Sequence, residues 1–280
     1  MFGRNRLDVK TPDQIRRMRR AGLVVGETLA LLREQARAGM TTADLDRVAE
    51  EHIRGAGATP SFLGYHGFTG TLCVSVNDEV VHGIPGSREL REGDLVSIDC
   101  GAIVDGWHGD AAISLVVGGP EAASPADLAL IDATEASMWA GIAALRVGSP
   151  LYAVGAAVED TVAKAAAADG ATYGIVEDYV GHGIGTEMHQ DPQVPNYRVR
   201  DKGPTVRSGL TVAIEPMVTL GSADTAVLED DWTVVTTDGS RAAHWENSVA
   251  VTDEGLWVLT ELDGGKARLE AIGAAYAPLD

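Results

Sequence analysis

The strongest constraint on this chain is that part of it is repeated. Residues 91–99 read REGDLVSID and align with residues 207–215, which read RSGLTVAIE. Arginine, glycine, valine and isoleucine coincide in this alignment, and Asp99 falls on Glu215. The repeat predicts two related halves, each with an apolar strand that carries an acid.

A second pair of segments supports the repeat. Residues 108–116, HGDAAISLV, align with residues 244–252, HWENSVAVT, so that Asp110 falls on Glu246. Apolar residues alternate in phase along both segments, which is typical of strands. The connection between the paired segments is longer in the second half, which predicts an enlarged loop there.

Helix signals also come in two pairs. Threonine or serine caps, three of them followed by proline, are typical of helix starts, and glycines are typical of helix ends. They predict starts at Thr11, at Thr41 or Thr42, at Ser124 and at Ser149–Pro150, and ends at Gly55 and Gly170. This order predicts an α+β fold with pseudo-twofold symmetry, a mostly antiparallel sheet and the two helix pairs outside it.

The repeat also defines the expected domain organisation. We expect one domain over residues 1–280, with pseudo-symmetric halves at about 10–120 and 121–260. The C-terminal tail, residues 263–280, contains the glycine pair Gly264–Gly265, which predicts a loose appendage. The pattern assigns the tail no role.

Charge and composition narrow the function classes. A formal charge of −19, from 41 acids and 22 bases, argues against broad nucleic-acid binding. Seven bases are nevertheless concentrated in the first twenty residues: Arg4, Arg6, Lys10, Arg16, Arg17, Arg19 and Arg20. They predict either a solvated helix face or a contact with an anionic partner.

Two cysteines, Cys73 and Cys100, exclude a disulfide framework and any CxxC motif. The chain has no apolar run of membrane-spanning length and no signal-peptide core. We therefore expect a cytoplasmic protein without membrane contact.

The first repeated pair contains a hairpin signal. Asp105–Gly106 is typical of a two-residue turn. If Val104 pairs with Trp107, then Asp99 and Asp110 are diagonal neighbours on one face of the hairpin. A three-residue loop would place the two carboxylates on opposite faces.

Four acids in register require compensation. Each acid alone fits a polar residue on a solvated sheet face, but four buried carboxylates repel one another. They must be protonated, paired with arginines or bound to metal ions, and two divalent cations would balance their charge. Three histidines are candidates to join the four acids at one site: His82, His182 and His189. His182 and His189 lie seven residues apart, so a bend is needed to bring both rings to one site.

These residues resemble those of type I methionine aminopeptidases. The motifs that carry the resemblance are VHGIPG, GHGIG, MHQDP, IEPM and DDWTVVTTDGSRAAHWENSVAVT, within a match over residues about 10 to 260. The resemblance implies the pita-bread fold. It also implies removal of the initiator methionine from nascent chains, preferentially before a small second residue, by attack of a metal-activated hydroxide on the scissile carbonyl.

The resemblance implies a role for each matching residue. The metal ligands would be Asp99, Asp110, His182, Glu215 and Glu246, with Asp110 and Glu246 bridging two divalent ions (Co, Mn, Fe or Zn). Glu215 would also transfer a proton, His189 would stabilise the oxyanion, and His82 would contact substrate near the scissile amide. The methionine pocket would comprise Tyr65, Phe68, Cys73 and Trp232, with Phe62 and Met188 nearby, although each alone also fits a core residue.

Several expectations remain open at this stage. Asn247–Ser248 follows Glu246, where the resemblance leads us to expect His–Thr. The rival interpretations are a prolidase or aminopeptidase P, and a pita-bread binding module that lacks a metal. For an enzyme acting on nascent chains, the basic N-terminal helix would contact the ribosome. We expect a monomer.

Overall fold

The computed structural model describes residues 7–279, which form helices on the outside of a central sheet. In chain order the helices are α1 Pro12–Gln35, α2 Thr42–Gly55, α3 Pro125–Ala144, α4 Ala153–Asp169 and the short α5 Lys266–Ala271. Single 3₁₀ turns span Tyr65–Gly67 and Pro120–Ala122. No helix among these residues is long and apolar enough to cross a membrane.

The strands of the described residues follow the two halves of the chain. In the first half they are β1 Thr59–Pro60, β2 Leu72–Val76, β3 Glu79–Val81, β4 Leu95–Val104 and β5 Trp107–Val116. In the second half they are β6 Gly174–Ile175, β7 Gly181–Gly183, β8 Gln190–Val194, β9 Thr211–Ile214, β10 Met217–Thr219, β11 Thr225–Val227, β12 Val234–Thr236, β13 Ala242–His244, β14 Glu246–Val251 and β15 Leu256–Val258.

The central sheet joins the two halves. Its order is β1-β4-β5-β14-β9-β7-β8, with β2 paired to β4 and β15 paired to β14, and every pair is antiparallel. The repeated strands β5 and β14 meet at the junction. The predicted α+β class, with a mostly antiparallel sheet and two outer helix pairs, is confirmed.

Three of the four predicted helix starts are confirmed. The side chains of Thr11, Thr41 and Ser124 each accept a hydrogen bond from the backbone of the first helical turn. The prediction of a start at Ser149–Pro150 is wrong, because α4 begins at Ala153. Pro150 instead forms an antiparallel bridge with Thr205, which holds this segment outside the helix.

The prediction that the C-terminal tail is a loose appendage is wrong. Leu269 of α5 is fully buried. Tyr276 forms a parallel bridge with Leu256 at the edge of β15, and Arg268 pairs with Glu135 of α3. The tail therefore covers one edge of the sheet and packs on α3; Asp280 lies outside the described residues.

The basic N-terminal cluster is only partly a surface feature. Arg4 and Arg6 lie outside the described residues. Lys10 is buried and donates a hydrogen bond to Gln190 at 3.0 Å. The Arg19 guanidinium donates to the chain after β15, at the carbonyls of residues 259, 261 and 262. Lys10 and Arg19 thus stabilise the fold.

Helix α1 lies very close to the hairpin β4–β5. A methyl group on Gly109 would lie 2.7 Å from the backbone nitrogen of Gly22, and one on Gly22 would lie 2.0 Å from the Leu259 carbonyl oxygen. Because only glycine permits this approach, α1 is fixed directly behind Asp110.

Candidate metal centre and active site

The hairpin geometry that brings the first two acids together is as predicted. The turn residues Asp105 and Gly106 both have positive φ, at 50° and 78°, as a two-residue type I′ turn requires. The register includes the pairs Val104–Trp107, Gly101–Asp110 and Asp99–Ala112. Asp99 and Asp110 are therefore diagonal neighbours on one face, and this prediction is confirmed.

The second half brings its two acids to the same place. Glu246 begins β14 and lies opposite Ala112 of β5, which in turn lies opposite Asp99. Glu215 follows the last residue of β9, and one further step of the β9–β14 register places it opposite Glu246. All four carboxylates line one cavity of about 280 Å³.

The bend needed to bring the two histidines together is present. A β-bulge between His182 and Gly183 shifts the register of β7 and β8, and the rings of His182 and His189 lie 4.3 Å apart. His182 Nδ1 lies 3.0 Å from the Gly183 carbonyl oxygen. Because a carbonyl can only accept, Nδ1 carries the proton, and Nε2 offers its lone pair towards Glu215 Oε1, 3.4 Å away.

These residues fit a divalent cation. Ligand atoms of Asp110, His182 and Glu246 lie within 4.8 Å of one another. One buried oxygen on each of Asp99, Asp110, Glu215 and Glu246 has no hydrogen-bond partner among residues 7–279. Four orphaned carboxylate oxygens beside an imidazole lone pair form the oxygen-rich donor set that first-row divalent metals bind.

Burial without a cation perturbs every ionisable group of this set. Desolvation raises the pKa of Asp99 to about 7. It also raises the pKa of Asp110, Glu215 and Glu246 well above the ordinary carboxyl value, and neighbouring carboxylates add to that shift. The pKa of His182 falls to about 3, chiefly through burial. A bound cation would stabilise the ionised form of the four acids and so lower their pKa values.

His82 lines the same cavity in a constrained conformation. Its φ of 60° lies in the left-handed region, which is unusual for a residue with a side chain. The ring packs edge-on against Tyr179 at 5.2 Å, and burial lowers the pKa of His82 to about 4. The imidazole is thus held neutral in the cavity wall.

The predicted methionine-pocket residues lie together in the wall of the same cavity. Phe68 packs against Trp232 with ring centroids 5.0 Å apart. The apolar cluster comprises Phe62, Phe68, Cys73 and Met188, with Tyr65, Ile84 and Trp232 packed against it. Tyr65 differs from the others, because its hydroxyl lies 2.9 Å from His189 Nδ1.

Sequence reasoning missed part of the cavity wall. Tyr179, Met217 and His244 line it, and Met217 and His244 face each other across β10 and β13. His244 is buried, and its Nε2 has no hydrogen-bond partner among the described residues. The available signal was the repeat itself, which aligns His244 with His108.

The unexpected Asn247–Ser248 pair supports the strand that carries Glu246. Ser248 Oγ accepts from the Asp110 backbone nitrogen at 3.1 Å and donates to the Asp110 carbonyl at 2.8 Å. Asn247 accepts from Thr260. Both residues therefore hold β14 in place from the side, and neither replaces an acid of the site.

Comparisons with known proteins agree with this geometry. A sequence profile of metallopeptidase family M24 matches residues 16–253. Methionine aminopeptidase 1 of Mycobacterium tuberculosis is 52% identical over 259 residues, which are 92% of this chain and 96% of that relative.

Solved structures give the same result for the fold. The crystal structure of methionine aminopeptidase from Thermotoga maritima has a TM-score of 0.86 at 38% identity, covering 91% of this chain and 100% of that one. Prolidase from Pyrococcus furiosus has a TM-score of 0.71 at 18% identity, covering 90% of this chain and 65% of that one, and shares the fold alone. The predicted pita-bread fold is confirmed.

Proposed function

Because this chain belongs to metallopeptidase family M24 and, within it, to the methionine aminopeptidases, we propose that it removes the N-terminal methionine from nascent proteins and peptides. The observation that carries the proposal is the cavity, which is lined both by orphaned carboxylate oxygens and by an apolar cluster. The preference for a small second residue rests on the motif resemblance.

The apolar cluster in the cavity wall suits a methionine side chain. Phe68 and Trp232 present aromatic rings, and Cys73 and Met188 present polarisable sulfur atoms. A thioether gains from contact with aromatic ring edges as well as from leaving water. Binding the side chain there would direct the adjacent amide towards the carboxylates.

The metal ligands would be Asp99, Asp110, His182, Glu215 and Glu246, holding two divalent cations among Co, Mn, Fe or Zn. Bound cations would polarise the scissile carbonyl and lower the pKa of water. Four carboxylates match the charge of two such ions, and the neutral His182, fixed by Gly183, adds a nitrogen donor.

The remaining side chains would handle protons and charge. Glu215 lines the cavity and would take a proton from the attacking water and pass it to the leaving amine. His189 would donate a hydrogen bond to the carbonyl oxygen as negative charge develops on it. His82, held neutral in the cavity wall, would contact the substrate beside the scissile amide.

Peptide assays separate this proposal from its rivals. We expect methionine release from Met-Ala-Ser in the presence of added Mn, Fe or Co, and much slower release from Met-Leu-Ser. Cleavage of an Ala-Pro peptide alone would instead indicate a prolidase or aminopeptidase P. Absence of cleavage with every metal would indicate a binding module.

A ribosome contact is a finer part of the proposal. Three arginines remain at the surface of α1: Arg16, Arg17 and Arg20. Arg16 and Arg17 lie 3.9 and 3.4 Å from the Asp13 carboxylate, and Arg20 lies 3.1 Å from the Asp105 carboxylate. Contact with ribosomal RNA would weaken with salt.

The test changes these three arginines to glutamate while Arg19 is kept. The matched control reverses three exposed charges elsewhere: Arg37, Arg47 and Arg54. Unaltered co-sedimentation of the first variant with ribosomes at low salt would refute the contact. We also propose that the protein is cytoplasmic and monomeric.

A further inference from the structure

Tyr65 makes a contact that a pocket wall does not require. Its hydroxyl oxygen lies 2.9 Å from Nδ1 of His189, a residue 124 positions later in the chain. The two ring centroids lie 5.5 Å apart at an angle of 42°, so the rings are not stacked. The geometry is that of a hydrogen bond between the edges of the two side chains.

The loop that carries Tyr65 holds it in place. Gly64 has the left-handed conformation, with φ of 86°, before the single 3₁₀ turn Tyr65–Gly67. The Tyr65 backbone nitrogen donates to Phe62, and the Gly64 nitrogen donates to Phe68. Because both partners belong to the apolar cluster of the cavity, the hydroxyl is positioned by the same packing that forms the pocket.

The direction of the hydrogen bond determines what His189 can do. A neutral imidazole carries one proton, so one ring nitrogen donates and the other accepts. If the phenol donates to Nδ1, the proton of the ring lies on Nε2. If Nδ1 donates to the phenol, Nε2 is left as an acceptor. The phenolic O–H is the better donor and the imidazole nitrogen the better acceptor, which favours the first arrangement.

We propose that Tyr65 is a positioning residue that acts through His189: its hydroxyl donates to Nδ1 and thereby holds the ring with its proton on Nε2. His189 lines the cavity, and Nε2 has no hydrogen-bond partner among residues 7–279, so this N–H remains for a substrate oxygen. The inference rests on the proposed function, because only that reaction develops negative charge which needs a donor there.

The kinetic test is Tyr65→Phe, which removes the hydroxyl and keeps the ring in the pocket. On Met-Ala-Ser we expect kcat to fall about three- to tenfold, the effect of one net hydrogen bond, with KM within twofold. The matched control is Tyr173→Phe, which removes a hydroxyl bonded to Asp169 on the surface and should change neither constant.

A double-mutant cycle shows whether Tyr65 acts through His189. In a His189→Ala background, Tyr65→Phe should cause no further loss of kcat. Full additivity of the two losses would overturn the proposal, as would a rise in KM without a fall in kcat, which would make Tyr65 a pocket wall only.

The closing measurement is the tautomer of His189, read from ¹⁵N shifts of histidine-labelled, zinc-loaded enzyme. We expect the Nε2–H form in the wild type and a mixture in Tyr65→Phe. A wild type with its proton on Nδ1 overturns the proposal whatever the activity. Nε2–H in an enzyme that releases no methionine would overturn the proposed function and uphold the role of Tyr65.

Discussion

The substitution Arg19→Ala tests how α1 is attached to the rest of the fold. The Arg19 guanidinium donates to the carbonyl oxygens of residues 259, 261 and 262 at 2.7, 2.6 and 2.9 Å. It also lies over the ring of Trp257, 5.6 Å from the centroid. Arg19→Ala leaves three carbonyls without this donor and removes the stacking contact.

The contacts of Arg19 determine how much the substitution should lower the free energy of unfolding. A hydrogen bond from a charged donor contributes about 1.5–3 kcal/mol, and water replaces part of it at a half-buried site. We therefore expect Arg19→Ala to lower the free energy of unfolding by about 2–4 kcal/mol. In a chain of this length each kcal/mol lowers Tm by about 2–4 °C, which gives a fall of roughly 4–16 °C.

The assay is thermal unfolding followed by circular dichroism, with Arg17→Ala as the matched control. Arg17 lies on the same helix, is half exposed and, among residues 7–279, pairs only with Asp13 at 3.4 Å. Exposed pairs of this kind contribute about 0–1 kcal/mol, so the control should melt close to the wild type. Equal Tm values for the two variants would refute the reasoning.

Three further predictions concern packing and the metal site. Gly22→Ala should cost roughly 3 kcal/mol or more in urea unfolding because its methyl group would overlap a backbone carbonyl, whereas Gly55→Ala, which meets nothing within 4 Å, should be near neutral. Leu269→Ala should cost about 2–5 kcal/mol, and Ile272→Ala, at the exposed residue directly after α5, should cost far less; equal effects would mean that the tail does not pack as described. Burial raises the pKa of Asp99 to about 7, so metal-free enzyme carries a proton there at pH 6 that Mn²⁺ must displace. Calorimetry in two buffers should therefore show proton release at pH 6 that becomes smaller at pH 8.5, where Asp99 is already ionised, and Asp99→Asn should reduce the release at pH 6.

The features that the sequence predicted well depend on nearby residues. A two-residue turn fixes the register of a hairpin, so Asp105–Gly106 was enough to place Asp99 and Asp110 on one face. A helix cap depends on residues within three positions of it, so the sequence also predicted the helix starts at Thr11, Thr41 and Ser124.

The errors came from partners distant in the chain. Ser149–Pro150 has a capping pattern, but the bridge from Pro150 to Thr205 holds it outside α4. Arg19 looks like part of a surface cluster until the chain after β15 is brought beside it. The hydroxyl of Tyr65 likewise acquires a role only because a bulge in β7 brings His189 within reach.

The central claim is that four carboxylates and His182 form a site for two divalent cations. Crystals grown with Mn²⁺ and measured at the manganese absorption edge test it directly. We predict two anomalous peaks among Asp99, Asp110, His182, Glu215 and Glu246. A map with no peak in this cavity, or with manganese only elsewhere on the protein, would contradict the account.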